Sequence, residues 1–253
     1  MHLILTGATG LVGSGVLQAM LASKEVTKIS ILSRRPVPAV AASNDQRVNV
    51  IIHKDFQKYE PQVLSQLQGA NGVVWALGIS ALKATKEDYI KITKDWPLAA
   101  AQAFSSLPPE GEPFRFIYVS GGGATQNPNF MTAFYGRVKG ETETCLSGLR
   151  TPGLLIESVR PAGVDASDHD AIKPYIPDPG LAYKVMGAFP RPLFTKFMTS
   201  MHSPTEPLGK FLVGMAMGKY DRELDAGGEG IAVLPGGLRV LDNWAFRRLY
   251  GLD

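Results

Sequence analysis

The sequence predicts a doubly wound α/β domain, in which helices cover both faces of a parallel sheet. Short β-branched runs alternate with longer helical stretches over about the first 160 residues, a pattern typical of successive strand–helix–strand units. A glycine-rich segment directly follows the first of these runs. Six such units favour the strand order 3-2-1-4-5-6.

The predicted elements follow one another in regular order. We expect strands at Leu3–Thr6, Lys28–Ser33, Val48–Lys54, Gly72–Leu77, Phe114–Ser120 and Leu154–Val159. We expect helices at Leu11–Ser23, Pro61–Gln68, Lys86–Ser106 and Ala133–Leu149. Crossovers between parallel strands of one sheet are right-handed almost without exception, which fixes the winding.

The chain changes in texture near residue 165. Residues 1–164 are predicted to form a dinucleotide-binding core, and residues 165–253 a small substrate cap followed by elements that complete the same domain. Residues 165–207 combine many prolines with aromatic and methionine side chains, too apolar for a disordered linker and too interrupted for a long helix. Beyond them we expect a helix at Glu206–Met217, a strand at Gly230–Leu234 and a helix at Val240–Leu249.

The composition of the 253-residue chain excludes several classes of protein. With 45% hydrophobic residues, it is neither a disordered chain nor a disulfide scaffold. The 26 basic and 23 acidic residues give a net charge of +3 without a basic stripe, so we expect no nucleic-acid partner. No apolar run approaches the ~18 residues of a membrane span, so no membrane partner is expected either. The single cysteine, Cys145, is expected to be buried and inert. Together with an opening segment unlike a signal peptide, it favours a reducing, cytoplasmic location.

The strongest motif is the segment Thr6-Gly7-Ala8-Thr9-Gly10-Leu11-Val12-Gly13. Gly7 permits a tight turn, Gly10 allows the backbone to approach a pyrophosphate, and Gly13 allows close helix–sheet packing. Thr9, Leu11 and Val12 belong to the same phosphate-binding turn. The following helix presents free N–H groups and the positive end of its dipole. A structural turn without a ligand is the alternative interpretation.

The end of the second strand indicates which dinucleotide is bound. NAD-binding proteins place an acidic residue there to hold the ribose 2′-hydroxyl, whereas this chain has Ser33, Arg34 and Arg35. A guanidinium pairs well with a 2′-phosphate, and Ser33 can add a hydroxyl donor. We therefore predict NADP(H) as the cofactor, with solvated loop charges as the alternative explanation of the arginines.

Two more strand ends belong to the predicted cofactor site. Asp55 and Phe56 follow the third strand and could bracket an adenine, although core packing explains Phe56 and a helix N-cap explains Asp55 equally well. Ala76, Leu77 and Gly78 follow the fourth strand, where small residues let the backbone pass close to a dinucleotide.

A tyrosine and a lysine are spaced four residues apart beyond the fifth strand. Tyr135 and Lys139 therefore lie on one face of the predicted helix. An ammonium group beside a phenol favours the ionised phenol, so Tyr135 can exchange a proton with a carbonyl or alcohol oxygen. This spacing is common by chance, but its position after the fifth strand makes it a strong indication here.

These segments, together with Phe116–Ser120 and Val159-Arg160-Pro161, resemble an atypical or extended short-chain dehydrogenase/reductase of the epimerase-like and NmrA-like group of NAD(P)-binding Rossmann proteins. The resemblance covers residues 1–165 well and residues 203–220 more loosely. It implies that Tyr135 is the acid/base and Lys139 its partner, that Ser120 polarises the substrate, and that the stretch from Pro161 to Val164 lines the nicotinamide.

The chain departs from the family pattern in two places. Measured back from Tyr135, the expected serine position falls nearer Gly121 or Gly122 than Ser120, and Thr125 is a candidate substitute. The fourth helix also lacks the asparagine that many classical members use for a proton relay. Both departures weaken the prediction of ordinary carbonyl reduction and leave cofactor binding unaffected.

Three functions remain open from the sequence. The first is an NADPH-dependent oxidoreductase acting on a carbonyl or alcohol of a small, apolar substrate. The second is a non-redox isomerase or cyclase on the same scaffold, and the third is an NADP(H)-sensing regulatory protein without turnover. The four histidines and one cysteine show no metal-ligand spacing, so no metal site is expected. By analogy with the family alone, helices four and five would pair two copies into a homodimer.

Overall fold

The computed structural model describes residues 1–178 and 199–252. Its strands in the large sheet are β1 His2–Thr6, β2 Lys28–Ser33, β3 Val48–Ile52, β4 Gly72–Trp75, β5 Phe114–Val119, β6 Leu154–Val159, β9 Ile231–Val233 and β10 Arg239–Leu241. They run in the order β3-β2-β1-β4-β5-β6-β10-β9, and only β9 is antiparallel to its neighbour. The predicted fold and its order 3-2-1-4-5-6 are confirmed, and β10 and β9 extend the sheet beyond β6.

Two short strands form a separate parallel pair after β6. β7 spans Gly163–Asp165 and β8 spans His202–Pro204, with Val164 opposite Ser203. This pair joins the segment after β6 to the chain that resumes at residue 199. The predicted cap residues 179–198, including Tyr183, Met186 and Phe189, lie outside the described residues.

Helices cover both faces of the large sheet. They are α1 Leu11–Ala22, α2 Pro38–Ser43, α3 Pro61–Leu67, α4 Lys86–Ile90, α5 Trp96–Phe104, α6 Phe134–Ser147, α7 Thr205–Ala216, α8 Asp221–Ala226 and α9 Asn243–Tyr250. One hydrophobic core joins α1, α7 and α9 to the sheet, and a second core joins α3, α5 and α6 to its other face. In the described parts of the chain, no helix has the length and apolar character needed to span a membrane.

Helices α1 and α7 approach each other through glycine. A Cβ atom on Gly15 would lie 2.8 Å from the carbonyl oxygen of Thr205, and one on Gly209 would lie 2.4 Å from the carbonyl oxygen of Gly15. Any side chain at either position would force the two helices apart. This contact holds the later part of the chain against the first helix.

The helix predicted over Lys86–Ser106 is present from Lys86 to Phe104, with a π-helical turn at its centre. A π-helical turn at Lys91–Asp95 separates α4 from α5. Pro97 has no N–H and cannot bond to the carbonyl oxygen of Thr93 four residues earlier. That oxygen instead accepts a bond from the Tyr118 hydroxyl at 3.1 Å. The wide turn therefore has a local cause, and its free carbonyl oxygen has a partner in β5.

The predicted helix at Val240–Leu249 also needs correction. Its first residues belong to β10, which pairs in parallel with β6, and the helix begins only at Asn243. Asp242 ends the strand and caps the helix, since its carboxylate accepts a bond from the Ala245 N–H at 2.9 Å. A short apolar run does not distinguish a strand from a helix by periodicity alone.

The prediction that Cys145 is buried is wrong, because its side chain is exposed on α6.

Candidate functional site

The turn between β1 and α1 brings backbone against backbone. Gly7 has φ +74°, and a Cβ atom there would lie 2.4 Å from the carbonyl oxygen of Ala76. A Cβ atom on Gly13 would lie 2.0 Å from the carbonyl oxygen of Gly7. Both positions therefore require glycine, and they join the carboxyl ends of β1 and β4 to the start of α1.

The first turn of α1 leaves its N–H groups without a side-chain cap. Gly10 is the N-cap residue, and no acidic residue lies in the first turn. The N–H groups of Leu11 and Val12 have no acceptor within the helix, and Thr9 lies half-buried in the turn before them. Donors of this kind at the positive end of a helix dipole fit a pyrophosphate. A dinucleotide thus fits the residues present.

The predicted arginines lie at the end of β2, on the surface. Arg34 and Arg35 are both exposed, and the Arg34 guanidinium lies 6.0 Å above the Trp96 ring. The Ser33 hydroxyl donates to the carbonyl oxygen of Arg35 at 2.6 Å. Its proton is therefore used within the turn, and the two guanidinium groups are the polar groups that a 2′-phosphate could meet here.

The residues after β3 have different environments. Asp55 is exposed, and its carboxylate accepts a bond from the Gln57 N–H at 3.1 Å, which closes a local turn. Phe56 is 0% exposed and packs against Trp75 and Trp96 at ring-centroid distances of 5.9 and 5.3 Å. Phe56 therefore belongs to the core, which was the alternative interpretation of this residue. Of the two residues, Asp55 is the one that an adenine could reach.

The segment after β4 lies beside the glycine turn between β1 and α1, at the predicted cofactor site. Ala76 and Leu77 are half-buried beside Gly7, whereas Gly78 is exposed and has open space around it. Their backbone therefore lines the space between the glycine turn and the end of β5. The positions after β1, β2 and β4 all lie at the carboxyl edge of the sheet, the edge at which doubly wound folds bind their ligands.

Tyr135 and Lys139 lie on α6 against a loop of three glycines, Gly121 to Gly123. A Cβ atom on Gly123, where φ is +85°, would lie 2.6 Å from the Tyr135 hydroxyl. The Lys139 ammonium donates to the carbonyl oxygen of Ser120 at 2.6 Å and lies 5.8 Å above the Tyr118 ring. The loop therefore runs from the lysine at one end to the tyrosine hydroxyl at the other.

The electrostatic setting of Lys139 is unusual. Burial lowers the pKa of its ammonium group to about 8, and the Glu143 carboxylate opposes this shift. The ammonium group therefore loses its proton more readily than that of an exposed lysine. By contrast, Tyr135 is 39% exposed, so its hydroxyl is accessible to a substrate.

The two candidate hydroxyls for polarising a substrate differ in accessibility. Ser120 is 5% exposed, and within the described residues its hydroxyl oxygen has no hydrogen-bond partner. Thr125 is half-buried, and its hydroxyl accepts a bond from the Asn127 N–H at 3.1 Å. Gly121 lies beside the Lys139 ammonium, and Gly123 lies beside the Tyr135 hydroxyl.

The segment predicted to line the nicotinamide follows β6. The carbonyl oxygen of the buried Pro161 accepts a bond from the Gly122 N–H at 2.8 Å, so this segment holds the glycine loop from the side opposite α6. Val164 is half-buried in β7, beside β8.

Sequence reasoning missed two residues near the pair. Tyr89 on α4 is 2% exposed and close enough to Tyr135 to interact with it electrostatically. Glu143 on α6 is 0% exposed and binds Arg160, Ser158 and Gln126. The spacing of Glu143, four residues beyond Lys139, was a usable signal, since residues four apart share one helix face.

No cluster of three or more histidine, cysteine or acidic side chains that could hold a metal ion occurs in residues 1–178 and 199–252. His202 and Asp165 approach to 3.2 Å as part of the β7–β8 pair. His169 is buried and lies 3.0 Å from the Thr205 hydroxyl. Their hydrogen bonds therefore connect the segments on either side of residues 179–198.

Curated relatives of this chain come from fungi. It is 33% identical over 272 residues to leucinostatins biosynthesis cluster protein T of Purpureocillium lilacinum, covering 98% of this chain and 96% of that protein. The chain belongs to the family of leucinostatins biosynthesis cluster protein T. It is also 41% identical over 142 residues to botcinic acid biosynthesis cluster B protein 16 of Botryotinia fuckeliana (strain B05.10), covering 55% of this chain and 88% of that protein.

More distant relatives of this protein T family member include protein fmp52, mitochondrial, of Emericella nidulans. The two are 24% identical over 236 residues, which covers 93% of this chain and 95% of that protein. No family model matches the chain.

Solved structures show the fold of this protein T family member. The reductase domain of PhqB from Penicillium fellutanum has a TM-score of 0.63 at 14% identity, covering 85% of this chain and 64% of that chain. A short-chain dehydrogenase/reductase family oxidoreductase from Burkholderia thailandensis has a TM-score of 0.63 at 13% identity, covering 96% and 92%. BdcA in complex with NADPH has a TM-score of 0.59 at 16% identity, covering 97% and 93%. The chain therefore has the Rossmann fold that these solved structures share.

Proposed function

We propose that this protein is an NADPH-dependent oxidoreductase that transfers a hydride to or from a carbonyl or alcohol of a small, apolar substrate, with Tyr135 as the acid/base. The observation that carries the proposal is the arrangement of Tyr135, Lys139 and the glycine loop beside an uncapped helix N-terminus. The fold and the names of the structural neighbours support an activity of this class.

The residues of the chain perform the proton transfer. When bound, NADPH would supply the hydride that reaches the carbonyl carbon. The Tyr135 hydroxyl then donates its proton to the carbonyl oxygen, which gives the alcohol, and the reverse reaction returns the proton to Tyr135. Lys139 lies four residues further along the same helix, on the face that carries Tyr135. Two backbone carbonyl oxygens, of Val119 and Ser120, fix the lysine in place.

The preference for NADPH over NADH is part of the same proposal. It is supported by two exposed arginines at the end of β2 and by the lack of an acidic residue there. Removing both guanidinium groups should weaken binding of the 2′-phosphate and leave binding of NADH almost unchanged.

A parallel titration of the purified protein with NADPH and NADH tests the cofactor proposal. We expect NADPH to bind at least about tenfold more tightly, the effect of one charge-assisted contact worth about 1.4 kcal/mol. The double variant Arg34→Ala, Arg35→Ala should lose this preference. Lys24→Ala with Lys28→Ala removes two charges near the opposite ends of the strands and should retain it. Equal binding of both cofactors by the wild-type protein would refute the preference.

The names of two relatives support a role for this chain in a biosynthetic step, since both are named for biosynthesis clusters.

The cytoplasmic location stays a prediction, and the Fmp52 relatives, named mitochondrial proteins, supply the competing expectation. Fluorescent tagging of the full chain at its C-terminus distinguishes the cytoplasmic from the mitochondrial location.

The homodimer likewise stays a prediction. Light scattering tests it, since a dimer has twice the 27.3 kDa mass of one chain.

One observation favours a second function, a non-redox isomerase or cyclase. Gly121 and Gly123 lie beside Lys139 and Tyr135, and the position at which the family pattern places a carbonyl-polarising serine falls nearer Gly121 or Gly122 than Ser120. Under this alternative, Tyr135 moves a proton within the substrate and the cofactor shows no net consumption. Following NADPH absorbance together with substrate conversion separates the two functions, because only the oxidoreductase consumes or forms one NADPH for each product molecule.

A further inference from the structure

A buried carboxylate lies one helical turn beyond Lys139. Glu143 is 0% exposed, and each of its oxygen atoms accepts two hydrogen bonds. One oxygen binds the Ser158 hydroxyl at 2.8 Å and the Arg160 Nε at 2.9 Å. The other binds the Gln126 amide at 2.6 Å and the Arg160 Nη2. The carboxylate thus joins α6 to β6 and to the end of the glycine loop.

The Gln126 side chain is fixed at both ends. Its amide nitrogen donates to Glu143, and its amide oxygen accepts a bond from Arg160 at 3.0 Å. Gln126 follows the three glycines, Gly121 to Gly123, by three residues and ends the loop that they form. The ion pair therefore anchors one end of the loop that passes the Tyr135 hydroxyl.

The backbone of the glycine loop lies in close contact with two glycines of α6. A Cβ atom on Gly136 would lie 2.3 Å from the carbonyl oxygen of Gly123, and one on Gly140 would lie 1.8 Å from the carbonyl oxygen of Thr125. The Gly123 backbone in turn bounds the space beside the Tyr135 hydroxyl. A small displacement of the loop away from α6 therefore changes the space available to a substrate oxygen.

Stability alone does not explain this buried ion pair. Removing two charges from water costs several kcal/mol each, and well-packed apolar residues are often as stabilising. Holding a loop in one position is a role that apolar packing against glycine backbone performs poorly, because glycine offers no side chain to pack.

The charge of Glu143 also acts on Lys139. Glu143 on the same helix and Tyr118 on β5 lie near the lysine, and the Arg160 guanidinium binds the same Glu143 carboxylate from the end of β6. Among them, the carboxylate of Glu143 raises the pKa of Lys139 against the effect of burial. It therefore opposes the loss of the proton that burial favours at Lys139.

We propose that Glu143 is a positioning residue for the Tyr135–Lys139 site: with Arg160 and Gln126 it fixes the glycine loop on α6, one helical turn beyond Lys139. This inference rests on the proposed function for its meaning in catalysis. The two structural effects, on the loop and on the lysine, exist in the protein without cofactor or substrate.

The test uses three variants of the full chain. Glu143→Gln removes the charge in an isosteric way and should affect both the loop and the lysine. Gln126→Ala removes the loop contact and leaves the ion pair, so it should affect the loop alone. Glu141→Gln removes an exposed carboxylate on the same helix, one that pairs with Lys94 at 2.8 Å, and should affect neither.

Two measurements are made on each variant. NMR titration of protein labelled at the lysine ε carbon follows Lys139, whose signal is assigned by its absence in Lys139→Arg. Hydrogen exchange follows the amides of residues 120–127. In Glu143→Gln we expect the Lys139 midpoint to fall by on the order of one pH unit. Loop exchange should become roughly tenfold faster in Glu143→Gln and Gln126→Ala, as expected for the loss of one hydrogen bond to a charged group.

The results separate this inference from the proposed function. An unchanged Lys139 midpoint in Glu143→Gln, or wild-type loop exchange in Gln126→Ala, would overturn the positioning role. If Glu143→Gln does not fold, Gln126→Ala alone decides the loop contact. Neither measurement uses NADPH, so a negative cofactor titration would refute the proposed function and leave these outcomes interpretable.

Discussion

Tyr135 and Lys139 differ in how the fold treats their polar ends. The tyrosine hydroxyl is accessible beside Gly123, whereas the lysine ammonium is held by the carbonyl oxygens at the end of β5. One group is therefore free to meet a substrate, and the other supplies a fixed charge next to it. This division of roles is what a proton transfer at an accessible phenol requires.

Removing the Tyr135 hydroxyl tests its role directly. We predict that Tyr135→Phe lowers turnover by about 10²–10⁴-fold, the usual contribution of a general acid/base. NADPH binding should change little, because the phenol ring remains. Steady-state kinetics on a panel of ketones and alcohols, with calorimetry for the cofactor, measures both. Tyr220→Phe is the matched control and should behave as wild type. The Tyr220 ring lies 4.7 Å from the Phe211 ring, in the core that joins α1, α7 and α9 to the sheet.

His2 gives the fold a dependence on pH that is unrelated to the site. Its ring nitrogen lies 2.8 Å from the Ser30 hydroxyl, and burial lowers the pKa of His2 to about 4. Between pH 6.5 and 4 the unfolded chain is protonated at His2 while the folded chain is not. The free energy of unfolding therefore falls as the pH falls through this window, by up to about 3 kcal/mol.

Urea unfolding at pH 7 and pH 4.5 measures this effect. The variant His2→Gln should lose less stability between the two values than wild type. His53 and His169 also have pKa values lowered by burial, so a smaller slope of the same sign should remain in the variant. An equal loss in both proteins would show that His2 is not responsible.

At the scale of elements, the glycine turn and α1 act as one unit. We predict that Gly13→Ala weakens NADPH binding at least about tenfold and destabilises the fold by about 1–3 kcal/mol, because the added methyl group meets the Gly7 backbone. Gly153→Ala is the control, since a Cβ atom there would meet only the Thr151 hydroxyl at 4.0 Å. Thermal unfolding and cofactor titration of both variants test the contrast.

The π-helical turn between α4 and α5 makes a second element-scale prediction. Tyr118→Phe should cost about 1 kcal/mol, because the Thr93 carbonyl oxygen loses a hydroxyl donor. In a Pro97→Ala background the cost should be smaller, since the restored N–H can donate to the same oxygen. A double-mutant cycle of denaturant unfolding measures this coupling. Strict additivity would mean that the proline does not cause the wide turn.

Some elements could be predicted from the sequence and others could not, for identifiable physical reasons. The first six strands and α1 were predictable because glycine, proline and β-branched runs act locally. β10 was missed because its strand identity depends on pairing with β6, more than 80 residues away. The Tyr135–Lys139 pair was predictable from spacing, whereas the burial of Phe56 depends on tryptophans from β4 and α5 that no local pattern reveals.

For the whole molecule, cofactor binding should appear as added stability. At one hundred times its Kd, NADPH should contribute about 2.7 kcal/mol. In a chain of this size that corresponds to a rise in Tm of about 5–10 °C. At the same concentration, NADH should produce a smaller rise, and Arg34→Ala with Arg35→Ala should make the two cofactors equal. Scanning fluorimetry over a range of concentrations measures each shift.

The pairing of β6 with β10 has a consequence for how the protein is made. Arg239 is synthesised 82 residues after Glu157, whose carboxylate accepts bonds from its backbone N–H and its guanidinium. Until then, β6 presents an open strand edge next to a finished parallel sheet, and such edges recruit strands from other chains. An acidic side chain in the middle of that edge acts as a gatekeeper against such pairing on the ribosome. The same carboxylate then becomes the binding partner of the strand that closes the edge.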